Sequence, residues 1–222
     1  MYSQILRRAG GVLVAIGIIG EAVTIARVAG AARLWLAALD CIAIVAGACL
    51  LWGGPRAALW VRTLAVFVLA GGVMVVIAAS LFQPLDLSIT EIRLDPGGFT
   101  TWAATLAIAI CVTLWVSLQL GRPAVRDAIA GAGIRRWDMR FPAQAGGGIV
   151  ALAALLLWLA LHGQSGELAT SLALQQLGPD YRYHLSWISS ARNGRGTTVT
   201  GIVTAWNHKE IKQVVLHWAT PR

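Results

Sequence analysis

Glu21 and Asp40 stand inside two successive apolar stretches of the 222-residue chain. A carboxylate inside hydrocarbon costs roughly 3 kcal/mol unless it is paired, protonated or hydrated. The turn between the two stretches centres near Ala31, so a tight antiparallel hairpin brings the acids to similar depth. Two carboxylates at one level can share a proton or hold a cation. The pair is therefore a candidate ion or proton site. The competing interpretation is that the acids are neutral or hydrogen-bonded, with Thr24 at hand. No further acid, Lys or His follows deeper in these stretches, and that favours the second interpretation. Arg27 is poorly spaced from Glu21 for a helical ion pair, but it can snorkel outward.

Other residue types offer less. The histidines are His162, His184, His208 and His217, and only His162 stands at the end of an apolar stretch, so haem ligation within spans has no support. His184 and His217 can face one side of the C-terminal segment, but no third ligand has metal spacing. Cys41, Cys49 and Cys111 all fall in apolar stretches and form no CxxC. Cys41 and Cys49 would be ~12 Å apart along a helix, too far for a disulfide, so buried thiols are expected. There is no GxSxG, no P-loop and no dinucleotide fingerprint, and the glycines at 146–148 lack a following Lys-Ser/Thr. No catalytic residue, cofactor or metal is assigned, and a non-enzymatic role is expected.

Composition sets the class. Apolar residues make up 57% of the chain and charged residues 13%, with a mean hydropathy of +0.69. That excludes a soluble domain, a disordered chain and a disulfide-stapled secreted domain. The net charge is +8. The basic residues flank the apolar stretches, so they speak for topology and anionic lipid and not for nucleic acid. All of them but Lys209 and Lys212 are Arg; with abundant Ala and Gly, this suggests a GC-rich bacterial source.

Five apolar stretches, about 10–29, 34–53, 63–82, 100–120 and 147–162, are long enough or nearly so to span hydrocarbon of ~30 Å. Trp35, Trp52, Trp60 and Trp102 fall near their ends, where indoles prefer the interface. With the N-terminus in the cytoplasm, the inner segments hold Arg7, Arg8, Arg56, Arg62, Arg122, Arg126, Arg135, Arg136 and Arg140. The outer loops then hold Arg27, Arg33 and Arg93. The asymmetry favours N-in and an extracytoplasmic C-terminus. Arg7, Arg8 and Ala29-Gly30-Ala31 faintly resemble a signal peptide, but Glu21 and Arg27 intervene, so a retained anchor is expected.

Small residues at Gly11 and Ala15, and at Ala43 and Gly47, suit close helix packing. Residues 83–98 alternate imperfectly and predict a short strand or an interfacial segment, closed by a turn at Asp95-Pro96-Gly97-Gly98. Residues 122–142 place Val125, Ala128, Ile129 and Ala132 on one helical face. This predicts either a surface helix whose Arg122, Arg126, Arg135, Arg136 and Arg140 meet lipid, or a solvated loop.

After Gly163 the chain turns polar. Leu168, Ala169, Leu172 and Ala173 predict a short helix, stopped at Gly178-Pro179. Tyr181, Tyr183, Leu185 and Trp187 then alternate with polar residues, as a half-buried strand requires. Turns at Asn193-Gly194 and 207–210 lead to strands over 197–206 and 211–218, with Val214, Leu216 and Trp218 on one face. Tyr181, Tyr183, Trp187, Trp206 and Trp218 are more aromatics than so small a core needs. They and the strand edges form a candidate partner-binding surface.

The expected architecture is thus a mainly α membrane protein. A five-helix bundle over 1–163 precedes a small extracytoplasmic α+β tail over 164–222, in a bacterial inner membrane. The expected role is a non-enzymatic accessory or assembly subunit whose tail binds a membrane or periplasmic protein or a second copy. The alternative is a small proton- or cation-coupled transporter using Glu21 and Asp40. A membrane enzyme with an outward-facing site near His184 and His217 has only its residue types in favour.

Overall fold

The computed structural model describes residues 2–27, 31–135, 137–193 and 196–220. Its contacts divide the chain into two units, Met1–Val73 with Leu106–Gly148, and Met74–Thr105 with Ile149–Arg222. Four helices are long and apolar enough to cross a membrane: α1 (Tyr2–Arg27), α3 (Pro55–Phe82), α5 (Pro96–Leu120) and α7 (Arg140–Leu161). Helix α2 (Ala31–Trp52) carries a shorter apolar run, Ala37–Trp52. Large apolar side chains such as Ile18, Val45, Leu81, Ile108, Leu152 and Leu156 are exposed on these helices. In water such surfaces would aggregate; in hydrocarbon they are the expected exterior.

In the first unit α1 and α2 form a close hairpin. A Cβ on Gly47 would lie 2.7 Å from the Gly10 carbonyl oxygen, and a Cβ on Gly10 would lie 2.7 Å from that of Gly47. The helices therefore touch backbone to backbone, which only glycine permits. The core gathers Leu6 and Ala9 of α1, Leu50 of α2, Ala58 and Val61 of α3, and Val116 and Leu120 of α5. Helix α6 (Pro123–Gly131) adds Val125 and Ile129 to it. The apolar face predicted for 122–142 is thus real, but it packs on protein and not on lipid. Arg122, Arg126, Arg135 and Arg140 remain exposed; Arg136 lies outside the described residues. Trp60 and Trp137 meet edge to face at 5.0 Å. The cysteines depart from expectation: Cys41, Cys49 and Cys111 are exposed on the helix surfaces, not buried. Cys41 and Cys49 lie on the side of α2 turned away from α1, along a shallow apolar groove with Trp60 and Leu64 of α3.

Three helices depart from the expected pattern. Residues 85–94 are a helix, α4 (Leu85–Leu94), and not a strand. The segment Asp95-Pro96-Gly97-Gly98 is not a free turn but the start of α5. Asp95 Oδ1 accepts the Gly98 amide at 2.8 Å, and proline follows at the first helical position. Likewise α7 begins at Arg140, upstream of its apolar run, because Asp138 Oδ1 accepts the Arg140 amide at 2.9 Å.

In the second unit, α8 (Gln164–Leu177) ends at Gly178, whose φ of 83° suits glycine. Strands β1 (Arg182–Asn193), β2 (Gly196–Trp206) and β3 (Ile211–Thr220) form an antiparallel sheet in the order β1-β2-β3. Ala169 and Ala173 of α8 pack on Leu185, Val203 and Leu216, with Tyr183, Val214 and Trp218 around them. Gly201 leaves room for the Trp218 ring, which would sit 2.9 Å from a Cβ there. The turn at 207–210 is held by Asn207 Oδ1, which accepts the Lys209 and Glu210 amides at 2.9 and 3.0 Å. The turn placed at Asn193-Gly194 falls partly on residues outside those described.

Candidate functional site

The α1–α2 hairpin brings Glu21 and Asp40 together, as the spacing about Ala31 implied. Asp40 lies against Gly20: a Cβ on that glycine would be 2.3 Å from Asp40 Oδ1. Thr24, only 5% exposed, donates its hydroxyl to Asp40 Oδ2 at 3.3 Å. Glu21 is the next residue after Gly20, so the two acids stand at the same level of the hairpin. Glu21 Oε2 is buried with no hydrogen-bond partner among the described residues. The side chains of Arg27, Arg33 and Trp35 lie outside those residues. The arrangement is a threonine-capped acid beside an unsatisfied one. It can hold one proton between two acids or coordinate a cation through their oxygens. Among the described residues no cluster of three His, Cys, Asp or Glu groups has the arrangement of a metal site.

The second site is the face of the sheet opposite α8. Strict alternation would place Trp187 beside Leu185 in the core. A register shift between Leu185 and Trp187 reverses the phase, so Ile188 packs inward and Trp187 points out. Ser186, at the shift, hydrogen bonds to Thr204 across the strands at 2.6 Å. The pairing then lines up Trp187, Ile202 and Val215 directly across three strands. Trp187 is 47% and Val215 55% exposed. The neighbouring row on one side is Ser189, Thr200 and His217; on the other it is His184, Thr204 and Gln213, of which Gln213 is exposed, Thr204 is buried and His184 reaches a cavity beside α8. His217 and Thr200 hydrogen bond at 3.0 Å.

Of the five aromatics singled out, Tyr183 and Trp218 pack with the core under α8, and Trp206 is 5% exposed. Tyr181 donates to Glu210 and accepts from Lys212 at 2.8 Å, with the ammonium 5.1 Å from its ring centre. Trp187 is the one large, open aromatic of the set. Ile202 and Val215 were missed because the sequence does not mark the bulge that aligns them with Trp187.

Charge ties α4 to one end of this face. Arg182 pairs with Asp86, and Arg93 donates to the His208 carbonyl. The guanidinium holds the Asp86 carboxyl below its usual range. Lys212 and Tyr181 do the same for Glu210, and Glu210 in turn raises the Lys212 ammonium. His184 and His217 are not neighbours: they pair with Thr204 and Thr200, four positions apart on β2. His184 instead lines an open cavity of about 550 Å³ with His162, Glu167, Thr170 and Tyr183. Burial and the nearby His162 lower its pKa.

No known protein family, characterised protein or solved structure matches the chain.

Proposed function

We propose that this is a multi-pass membrane protein whose C-terminal helix-and-sheet module binds a protein partner, as an accessory or assembly subunit. The observation that carries the reading is the Trp187–Ile202–Val215 strip. An apolar centre with a large aromatic, framed by hydroxyl, imidazole and amide groups, is the anatomy of a protein interface. A lipid surface would favour an apolar face without such a polar frame. The outer edges of β1 and β3 add strand-pairing groups beside it.

The topology proposed with it has five spans, α2 included, the N-terminus in the cytoplasm of a bacterial inner membrane and the module outside. Two observations support one sidedness. Helix α6 packs on α1, so Arg8 of the first helix and Arg122 before α6 come to one cavity. Asp86 and Arg93 of α4 bond to Arg182 and His208, so that loop accompanies the module. The Arg asymmetry assigns the first group to the cytoplasm. A cysteine placed at Lys209 should then react with an impermeant thiol reagent added to intact spheroplasts, in a Cys-free background; protection there reverses the orientation.

Photo-crosslinking residues at Trp187 and Val215, and at Gln176 on the outer side of α8 as control, test the interface in native membranes. A discrete adduct at the first two positions and none at the control supports the reading. An adduct of twice the chain's own mass would make the partner a second copy. Absence of any adduct, or equal adducts at all three positions, removes the proposal.

A second reading has its own observation, the buried unsatisfied Glu21 oxygen beside Asp40. It makes the hairpin a proton or cation site of a small transporter. Glu21→Gln and Asp40→Asn should then each stop ion-coupled uptake in vesicles. Unchanged uptake in both discards it.

A further inference from the structure

A small cavity of about 210 Å³ opens in the first unit, lined by Gln4, Ile5, Arg8, Trp115, Gln119 and Arg122. The three contributing elements place these residues by simple geometry. Gln4, Ile5 and Arg8 share a face of the first turns of α1. Trp115 and Gln119 are one helical turn apart near the end of α5. Arg122 is the residue that caps α6, where Pro123 takes the first helical position. The positive end of the α6 dipole therefore falls at the backbone of a residue that lines the cavity.

The chemistry of this lining is one-sided. Two guanidinium groups and two amide side chains converge, and no carboxylate is among them. Neither Arg8 nor Arg122 has an ion-pair partner among the described residues. The acid of α6, Asp127, is exposed and does not line the cavity. Arg62 adds to the local field: its guanidinium lies against Gly121, the residue before Arg122. Its Nε is buried without a hydrogen-bond partner among the described residues. Guanidinium groups present forked donors that match the oxygens of a phosphate.

We propose that this cavity holds the phosphate of an anionic phospholipid, seated between Arg8 and Arg122 with Gln4 and Gln119 as further donors. A lipid is favoured over free phosphate because Ile5 and Trp115 complete the wall. Apolar side chains offer nothing to an inorganic ion, but they receive the glycerol and first methylenes of a lipid. Basic pockets between membrane helices bind anionic headgroups in this manner. The inference is independent of the partner-binding module, which belongs to the other unit.

Native mass spectrometry of the full chain in a neutral detergent, titrated with dioleoyl phosphatidylglycerol, reads the site directly. One lipid should be retained per chain. Arg8→Gln with Arg122→Gln should weaken its retention at least tenfold. The pair Arg135→Gln and Arg140→Gln, equally cationic and exposed but off the lining, should leave it unchanged. Gln119→Leu keeps every charge and removes one donor, so a several-fold loss there marks specific recognition. Circular dichroism confirms that each variant keeps its helix content. Millimolar inorganic phosphate should not displace the lipid. Equal loss in both Arg pairs would mean diffuse attraction and overturn the proposal. Retention of inorganic phosphate in preference to the lipid would overturn it too.

Discussion

Replacing Gly47 with alanine drives a methyl group into the backbone of the facing helix. The new Cβ would lie 2.7 Å from the Gly10 carbonyl oxygen and 2.9 Å from the Val14 amide nitrogen. Ordinary contact begins near 3.4 Å, so the overlap with the carbonyl is 3.4 − 2.7 = 0.7 Å. Neither obstacle is a side chain that can rotate away, so α1 and α2 must separate along their seam. Overpacking of this kind costs about 1–3 kcal/mol. Gly11, one residue along from Gly10, is the matched control. A Cβ there meets nothing within 4 Å, so Gly11→Ala should be neutral or gain up to about 1 kcal/mol of helix propensity. Unfolding in mixed micelles, followed by circular dichroism as the fraction of denaturing detergent rises, compares the two. Gly47→Ala should unfold at a clearly lower fraction than wild type, and Gly11→Ala at the same or a higher one. Equal midpoints would refute the backbone-to-backbone seam, and with it the geometry that seats Asp40 against Gly20.

Leu185→Ala should destabilise the C-terminal module by about 2–5 kcal/mol, because Leu185 is buried under α8; Leu174→Ala, on an exposed side chain, should change it by less than about 0.5 kcal/mol. Tryptophan fluorescence during thermal unfolding reads both. His184 makes the module sensitive to acid. Its folded pKa is lowered from 6.5, so between that value and the lower folded value the unfolded chain binds more protons. Stability should therefore fall as pH drops through this window, and replacing the neighbouring imidazole by His162→Gln should reduce the fall. A melting temperature flat from pH 7.5 to 5 would contradict it. Asp95→Ala removes the cap of α5 and should cost about 1 kcal/mol, visible as earlier unfolding in the mixed-micelle assay, whereas Asp95→Asn should keep most of the stability.

Four helices long and apolar enough to cross a membrane were legible from their apolar runs, and the helix over 164–177 and the three-stranded meander from their local periods. What failed did so for identifiable reasons. The α4 segment reads as broken alternation because Leu85, Leu87 and Ile89 fall two apart by chance; only Leu87 among them is buried. Asp95-Pro96 was read as a turn, although an acid before proline is equally a helix start, and the next element decides between them. The apolar side of α6 was visible, but its destination was not, since periodicity says that a face is covered and not by what. The thiols were expected inside because cysteine is usually buried in water; in a span the apolar exterior accepts it as readily. The carboxylate pair was legible from hairpin symmetry alone. The Trp187–Ile202–Val215 strip was not, because one bulge at Ser186 moves Trp187 out of the core phase and beside Ile202 and Val215. The Arg8–Arg122 cavity joins residues far apart in the chain, and nothing in their spacing announces it.

The central claim is that the Trp187–Ile202–Val215 strip is a protein-binding surface. Its most direct test is native mass spectrometry of the chain gently extracted from its native membrane at natural expression, alongside a Trp187→Glu, Val215→Glu variant. Both substituted side chains are already exposed, so the module should stay folded, as its thermal unfolding will show. The account predicts a stoichiometric companion with the wild-type chain and its loss from the folded variant. A wild-type chain that arrives alone, or a companion retained undiminished by the folded variant, would contradict it.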